Sequence, residues 1–176
     1  MSDTALAQAG SQILGTQGGV PVTKAFLDAV TFTVSDAVQG AETRQDAITR
    51  SVPGYDPSSD RTSALADRLV DYPEEQRLDI IWLLGTSAHA DHLTAAPRLQ
   101  RGLHAKIATG EHTVTVQETF ARLFNASDGS NFDKLFARGE RSPIGKPDVT
   151  VLPVPGHLPP REDHGIVYIK IPGNTA

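Results

Sequence analysis

Cysteine is absent from all 176 residues, so disulfides and thiolate metal sites drop out at once, and a reducing compartment fits the composition. No block of Lys or Arg stands out. With a formal net charge of −5, nucleic acid and anionic membrane surfaces are disfavoured as partners. No apolar run is long enough to span a bilayer, and the opening Met1-Ser2-Asp3-Thr4 is neither a secretory signal nor an Arg-rich transit peptide. The expectation is a soluble cytoplasmic protein, with a mitochondrial address left open. Repeats and low-complexity linkers are also missing. What is left suits one domain, long enough to bury a core.

Residues 1–25 are small and polar, broken by Gly15, Gly18 and Gly19, and read as a loose N-terminal arm with one helical turn around Leu6–Leu14. The domain proper is expected over 26–176. Thr31–Val38 alternates and is β-branched, which predicts a strand, with Gln45–Val52 as its hairpin partner. Tyr55-Asp56-Pro57 reads as a turn. Leu65, Leu69 and Val70 make a short helical stripe that Pro73 should end or kink. A buried strand follows at Leu78–Leu84, then a helix over about Leu93–Arg101 and a strand at Ala105–Thr109. His112–Phe124 reads as a helix with Val116, Phe120 and Leu123 turned to the core, and Asn125–Ser130 as a turn. Short strands are expected near Glu140–Ile144 and Val149–Pro153, and a last one at His164–Ile171. Strands, then strand–helix alternation, then strands again make a layered α/β (α+β) domain.

Chemistry concentrates at one place. Gly85-Thr86-Ser87-Ala88-His89-Ala90-Asp91-His92 leaves the 78–84 strand and puts two imidazoles and a carboxylate within four residues. These are ligand types that Zn(II) and non-haem Fe(II) accept, so a divalent metal is the first hypothesis. In an extended chain residues 87, 89 and 91 share one face, and His92 points elsewhere. A further imidazole, His157, follows a strand on the turn Val154-Pro155-Gly156-His157. His104 and His112 have no ligand-spaced partner and read as surface or helix-start residues.

This run resembles the metallo-β-lactamase superfamily signature, His-x-His-x-Asp-His with a downstream Gly-His. The closer likeness is to the persulfide dioxygenase (sulfur dioxygenase) branch, near the glyoxalase II enzymes. It is carried by Thr86-Ser87-Ala88-His89-Ala90-Asp91-His92-Leu93-Thr94-Ala95-Ala96-Pro97, by Gly110-Glu111-His112, Val116-Gln117, Phe132-Asp133-Lys134-Leu135-Phe136 and Pro155-Gly156-His157, and by the opening Phe32-Thr33-Val34-Ser35. It covers roughly residues 26–170. The resemblance implies an αββα sandwich, expected here to be incomplete in its C-terminal half.

For function it implies oxidation of glutathione persulfide by O₂ at a mononuclear Fe(II), giving sulfite and glutathione. The runner-up is thioester hydrolysis of the glyoxalase II kind on a glutathione thioester. In two-metal relatives, His89 and His157 would serve one metal, Asp91 and His92 the other, with Asp91 also the candidate catalytic carboxylate. Two departures bear on activity. Ser87 stands where the signature has its first His, and a hydroxyl that stays protonated is a poor ligand. The later Asp and terminal His of the family pattern have no counterpart, so of the branch's three iron ligands only His157 is matched. Each metal would keep two protein ligands, below the three usual for catalytic zinc, which predicts weak or absent binding of Fe(II) or Zn(II). Asp163 or His164 are the nearest substitutes.

Two other readings compete. Gly85-Thr86-Ser87-Ala88-His89 approximates a nucleophile elbow, with Ser87 as nucleophile, His157 or His164 as base, and Asp148 or Asp163 orienting it. Here His89 would crowd the tight turn. The other reading is non-enzymatic: a degenerate or truncated relative whose uncovered sheet face pairs in a homodimer.

Overall fold

The computed structural model describes residues 13–14, 22–39, 45–56, 58, 60–85, 94–111, 113–114, 132–143, 148–154 and 166–170. The larger of two sheets has seven strands in the order β1 (Ile13–Leu14), β2 (Val22–Leu27), β3 (Val34–Gln39), β4 (Gln45–Thr49), β5 (Asp79–Leu84), β6 (Lys106–Gly110) and β7 (Lys134–Phe136). Neighbours from β1 to β4 are antiparallel, and those from β4 to β7 are parallel. In the smaller sheet β9 (Asp148–Val154) lies between β8 (Arg141–Pro143) and β10 (Ile166–Lys170), all antiparallel.

Parallel neighbours need a crossover. Helix α1 (Ala64–Gln76) makes the one from β4 to β5, and α2 (Ala96–Leu103) the one from β5 to β6. Each new parallel strand is added on the same side of the last, so right-handed crossovers bring both helices to one face. The core agrees: Ala37, Ile48, Leu83 and Ile107 of the sheet pack with Leu65, Leu69 and Leu99 of the helices. The register lines these up, Ile48 opposite Leu83 and Leu83 opposite Ile107. On the other face Ala47, Leu84, Ala108 and Phe136 are also buried, with Trp82 against them. Burial on both faces is why β5 reads as an unbroken apolar run rather than an alternating one.

Several boundaries differ from the sequence reading, each for a local reason. Within 1–25 the described residues are strand: Ile13–Leu14 pairs with Thr23–Lys24, and β-branched Val22 and Thr23 already belong to β2, while the rest of the expected turn at Leu6–Leu14 lies outside the described residues. β3 starts at Val34, not Thr31, because Asp28 ties the preceding turn, accepting from Thr31 Oγ1 at 2.6 Å and from Val30 N–H at 3.4 Å. Pro73 does not end α1. It sits in the last turn, and the helix stops at Arg77, left-handed at φ 56°, whose N–H bonds the Glu74 carbonyl while Leu78 N–H bonds that of Pro73. α2 begins at Ala96 rather than Leu93, placing Pro97 in the first turn, where its missing N–H costs nothing. Of the 112–124 helix only Thr113–Val114 is among the described residues.

The 50–62 loop turns on Gly54 at φ +89°, where a Cβ would come within 3.1 Å of Leu65 Cβ. At the start of α1, Asp67 accepts from Ser63 Oγ at 2.6 Å and from the Arg98 guanidinium of α2. Ser63 first and Arg98 second hold its carboxyl below the usual carboxylate range. A lowered pKa stabilises the fold above the unfolded value, and that contribution is lost as pH falls through the folded one, below about pH 4. Asp67→Asn should therefore trim stability slightly at neutral pH and flatten the acid limb of a stability–pH profile. Leu69, 0% exposed between helix and sheet, is the sharper probe. Leu69→Ala should cost about 2–5 kcal/mol, read as a lower urea midpoint at unchanged slope.

Candidate functional site

Because β4 to β7 are parallel, their carboxyl ends Thr49, Leu84, Gly110 and Phe136 share one edge of the sheet. β3 runs the other way and starts there, Asp36 opposite Thr49. Open α/β sheets hold ligands at such edges. The run with Ser87, His89, Asp91 and His92 departs from this edge after Gly85 and the described chain resumes at Thr94. Those four side chains lie outside the described residues. The residues at both ends of that stretch, Gly85 and Thr94, are described.

The outgoing end is held by β6. Gly85 N–H donates to the Ala108 carbonyl at 2.9 Å, and Thr109 Oγ1 donates to the Gly85 carbonyl at 3.1 Å. Thr109 Oγ1 also lies 3.0 Å from Thr113 Oγ1, and both threonines are buried. The returning end is held by the residues after β4. The Ser51 carbonyl accepts from Ala95 N–H at 3.0 Å and from Thr94 Oγ1 at 3.3 Å, while Thr94 Oγ1 accepts from Ala96 N–H at 3.1 Å and so caps α2. Ser51 is itself fixed from two sides. Arg50 N–H reaches the Leu84 carbonyl at 3.2 Å, and buried Ser35 donates to the Arg50 carbonyl at 2.9 Å while accepting from Val52 N–H at 3.3 Å.

Arg50 adds charge to this edge. Its backbone is left-handed at φ 51°, a conformation a side chain adopts only when its surroundings require it. Its guanidinium meets Asp36 Oδ2 at 2.6 Å, with Arg50 half exposed and Asp36 mostly covered. Tyr72, whose phenol is pushed up by burial and then by the Asp46 carboxylate, accepts from Gln39 at the far end of β3 and takes no part here.

His157 lies three residues beyond the end of β9 and, like Asp163 and His164, outside the described residues. Val154 pairs with Ile166, so all three belong to the β9–β10 connection. Asp148 opens β9, paired with Pro143 at the opposite end. Six residues of strand put it about 20 Å from Val154 at the other end. His104 is exposed at the C-terminal cap of α2. Among the described residues no three His, Cys, Asp or Glu side chains gather to hold a metal. Sequence reasoning missed Ser35, Ser51, Thr109 and Thr113; the only available mark was Thr94, two residues ahead of a helix start with Pro97 behind it.

No family model matches the chain. A probable metallo-hydrolase of Burkholderia pseudomallei is 39% identical over 140 residues, covering 76% of this chain and 48% of its own length. Glyoxylase B2 of Dictyostelium discoideum is 43% identical over 126 residues, 67% of this chain and 43% of its own. The chain thus spans less than half the length of these curated relatives. Among solved structures, ETHE1 from Myxococcus xanthus superposes with a TM-score of 0.58 at 21% identity, covering 84% of this chain and 53% of that one. A subclass B3 metallo-β-lactamase of Bradyrhizobium japonicum gives 0.59 at 14% identity, covering 91% and 57%. At such identities the structures speak for the fold, and the sequence matches carry the kinship. Together they put the chain in the metallo-β-lactamase superfamily.

Proposed function

We propose that this chain is a metal-dependent hydrolase of the glyoxalase II type, acting on a glutathione thioester at a centre that Ser87 leaves one donor short. What supports the reading is that His89, Asp91 and His92 fall in the sequence between Gly85, at the carboxyl end of a parallel strand and bonded to β6, and Thr94, bonded to Ser51. The donor chemistry fits a divalent cation: three imidazoles, with His157, and one carboxylate. His89, Asp91, His92 and His157 would hold it. When bound there, the cation would supply Lewis acidity, polarising a thioester carbonyl and easing the deprotonation of water. Asp91 would be the carboxylate placed by sequence to accept a proton there. Ser87, neutral and weakly donating, is the reason affinity and turnover should be low.

A second reading, oxidation of glutathione persulfide by O₂ at Fe(II), is supported by the run Thr86–Pro97. It ranks lower because a glyoxylase B2 is among the sequence relatives at 43% identity, whereas the dioxygenase likeness is carried by short motifs alone. A homodimer and a non-catalytic role remain outcomes of the same experiment.

The chain is purified under argon and titrated with Zn(II) and Fe(II). Wild type should bind detectably but weakly, and His157→Ala should abolish binding. Ser87→His should tighten it by on the order of 10–100-fold, at least the effect of a lost supporting partner in other metal sites. Slow, chelator-sensitive thioester cleavage without O₂ uptake is expected. Oxygen uptake exceeding cleavage would select the dioxygenase. Chelator-resistant hydrolysis lost in Ser87→Ala would select the serine elbow, and no metal and no turnover would leave the non-catalytic relative.

A further inference from the structure

We infer that two copies of this chain associate through the layer formed by α1 and α2, the acidic helix of each copy lying over the basic helix of the other about a two-fold axis. No residue of this face belongs to the candidate metal centre.

The two helices lie on one face of the large sheet and carry opposite charge outwards. In α1 the buried residues Leu65, Ala66, Leu69 and Pro73 mark the side turned to the sheet. Asp67, Asp71, Glu74 and Glu75 fall on the opposite side by helical spacing. Arg68, the cation within α1, lies over the Phe26 ring at 5.6 Å, on the flank towards β2. α2 is the reverse: Ala96 and Leu99 are buried, Arg98 and Arg101 are exposed, and the helix holds no acidic residue. One pair already joins the two, Arg98 Nε donating to Asp67 at 3.1 Å. Asp71, Glu74, Glu75 and Arg101 are exposed, and their side chains meet no opposite charge among the described residues.

Helix direction fixes the symmetry. Asp67 lies beside Arg98, and a turn further along each helix a Cβ on Gly102 would come within 3.1 Å of Val70. The helices therefore run the same way. A two-fold axis along them, above their seam, carries each α1 over the partner's α2 without shifting it lengthwise. Asp71, one residue past Val70, then stands over the partner's Arg101, one residue before Gly102. An axis across the helices would instead set α1 on α1, acid against acid, which like-charge repulsion disfavours. The contact is isologous, and a second copy complements both rows at once, as no singly charged partner does. Helix α1, 13 residues long, spans about 20 Å. Two helices about 10 Å apart give a footprint on the order of 400 Å² per copy, about half of what a standard stable interface buries. The association is weak, driven by charge and screened by salt. The axis also follows the strands that the helices connect, so both carboxyl edges open on the same side of the pair.

The full chain is followed by sedimentation velocity in about 20 mM and about 500 mM NaCl. Expected is a monomer–dimer equilibrium at low salt, with a dissociation constant about tenfold or more higher at high salt. Arg101→Glu and Asp71→Lys should each abolish the dimer at unchanged circular dichroism. Mixing the two variants should restore it, because each introduced charge then faces its opposite and the remaining Asp71 faces the remaining Arg101. A wild type that stays monomeric at low salt would overturn the inference and leave the two rows to solvent or to another partner. A dimer untouched by Arg101→Glu would overturn it too, placing the contact elsewhere, as would folded single variants that fail to associate when mixed.

Discussion

The pairing of β4 with β5 continues one residue past the end of β4, through the bond from Arg50 N–H to the carbonyl of Leu84, the last residue of β5. That bond brings Ser51 to where residues 94 and 95 come back, while Gly85, one position on, is caught by β6. The start of α2 is set by the same contacts, since the Thr94 hydroxyl that meets Ser51 also caps Ala96. Strand register, helix start and the two ends of the chemistry-bearing loop are therefore one connected set of bonds. Ser35, wholly buried on β3, extends the set across a third strand.

What could be read in the chain beforehand follows from the range of each signal. β5 is legible because burial on both faces writes an apolar run into five consecutive letters, and the His/Asp cluster is legible because its members are adjacent. The proline-bearing helices are legible in existence but not in extent. Pro73 and Pro97 are tolerated for opposite positional reasons, last turn and first turn, that depend on where the helix lies. β7 escapes notice because three residues carry no period, and its place comes from distant pairing with Ala108–Gly110. The hydroxyl network is invisible in principle. Ser35 meets Arg50 across 15 positions and Ser51 meets Thr94 across 43, and no local pattern encodes such a meeting.

The described framework stands on bonds and packing of its own. The described ends of the stretch that contains Ser87 are held by backbone groups, by Thr109 of β6 and by Thr94. Core burial on the helix face, with Leu69, Leu83 and Leu99 almost wholly covered, is likewise independent of any cation. Superfamily membership does not by itself establish catalytic competence.

The large sheet terminates in strands of two residues at β1 and three at β7. Another chain seeking to add itself by backbone hydrogen bonds would find almost no template at either described rim. Lys134 on β7 pairs with Glu140 and lies over the Phe136 ring, placing charge beside the one exposed apolar side chain there, Leu135. Extension of the large sheet is thereby discouraged at both described rims, whereas the smaller sheet ends in the five-residue β10 and offers the longer template.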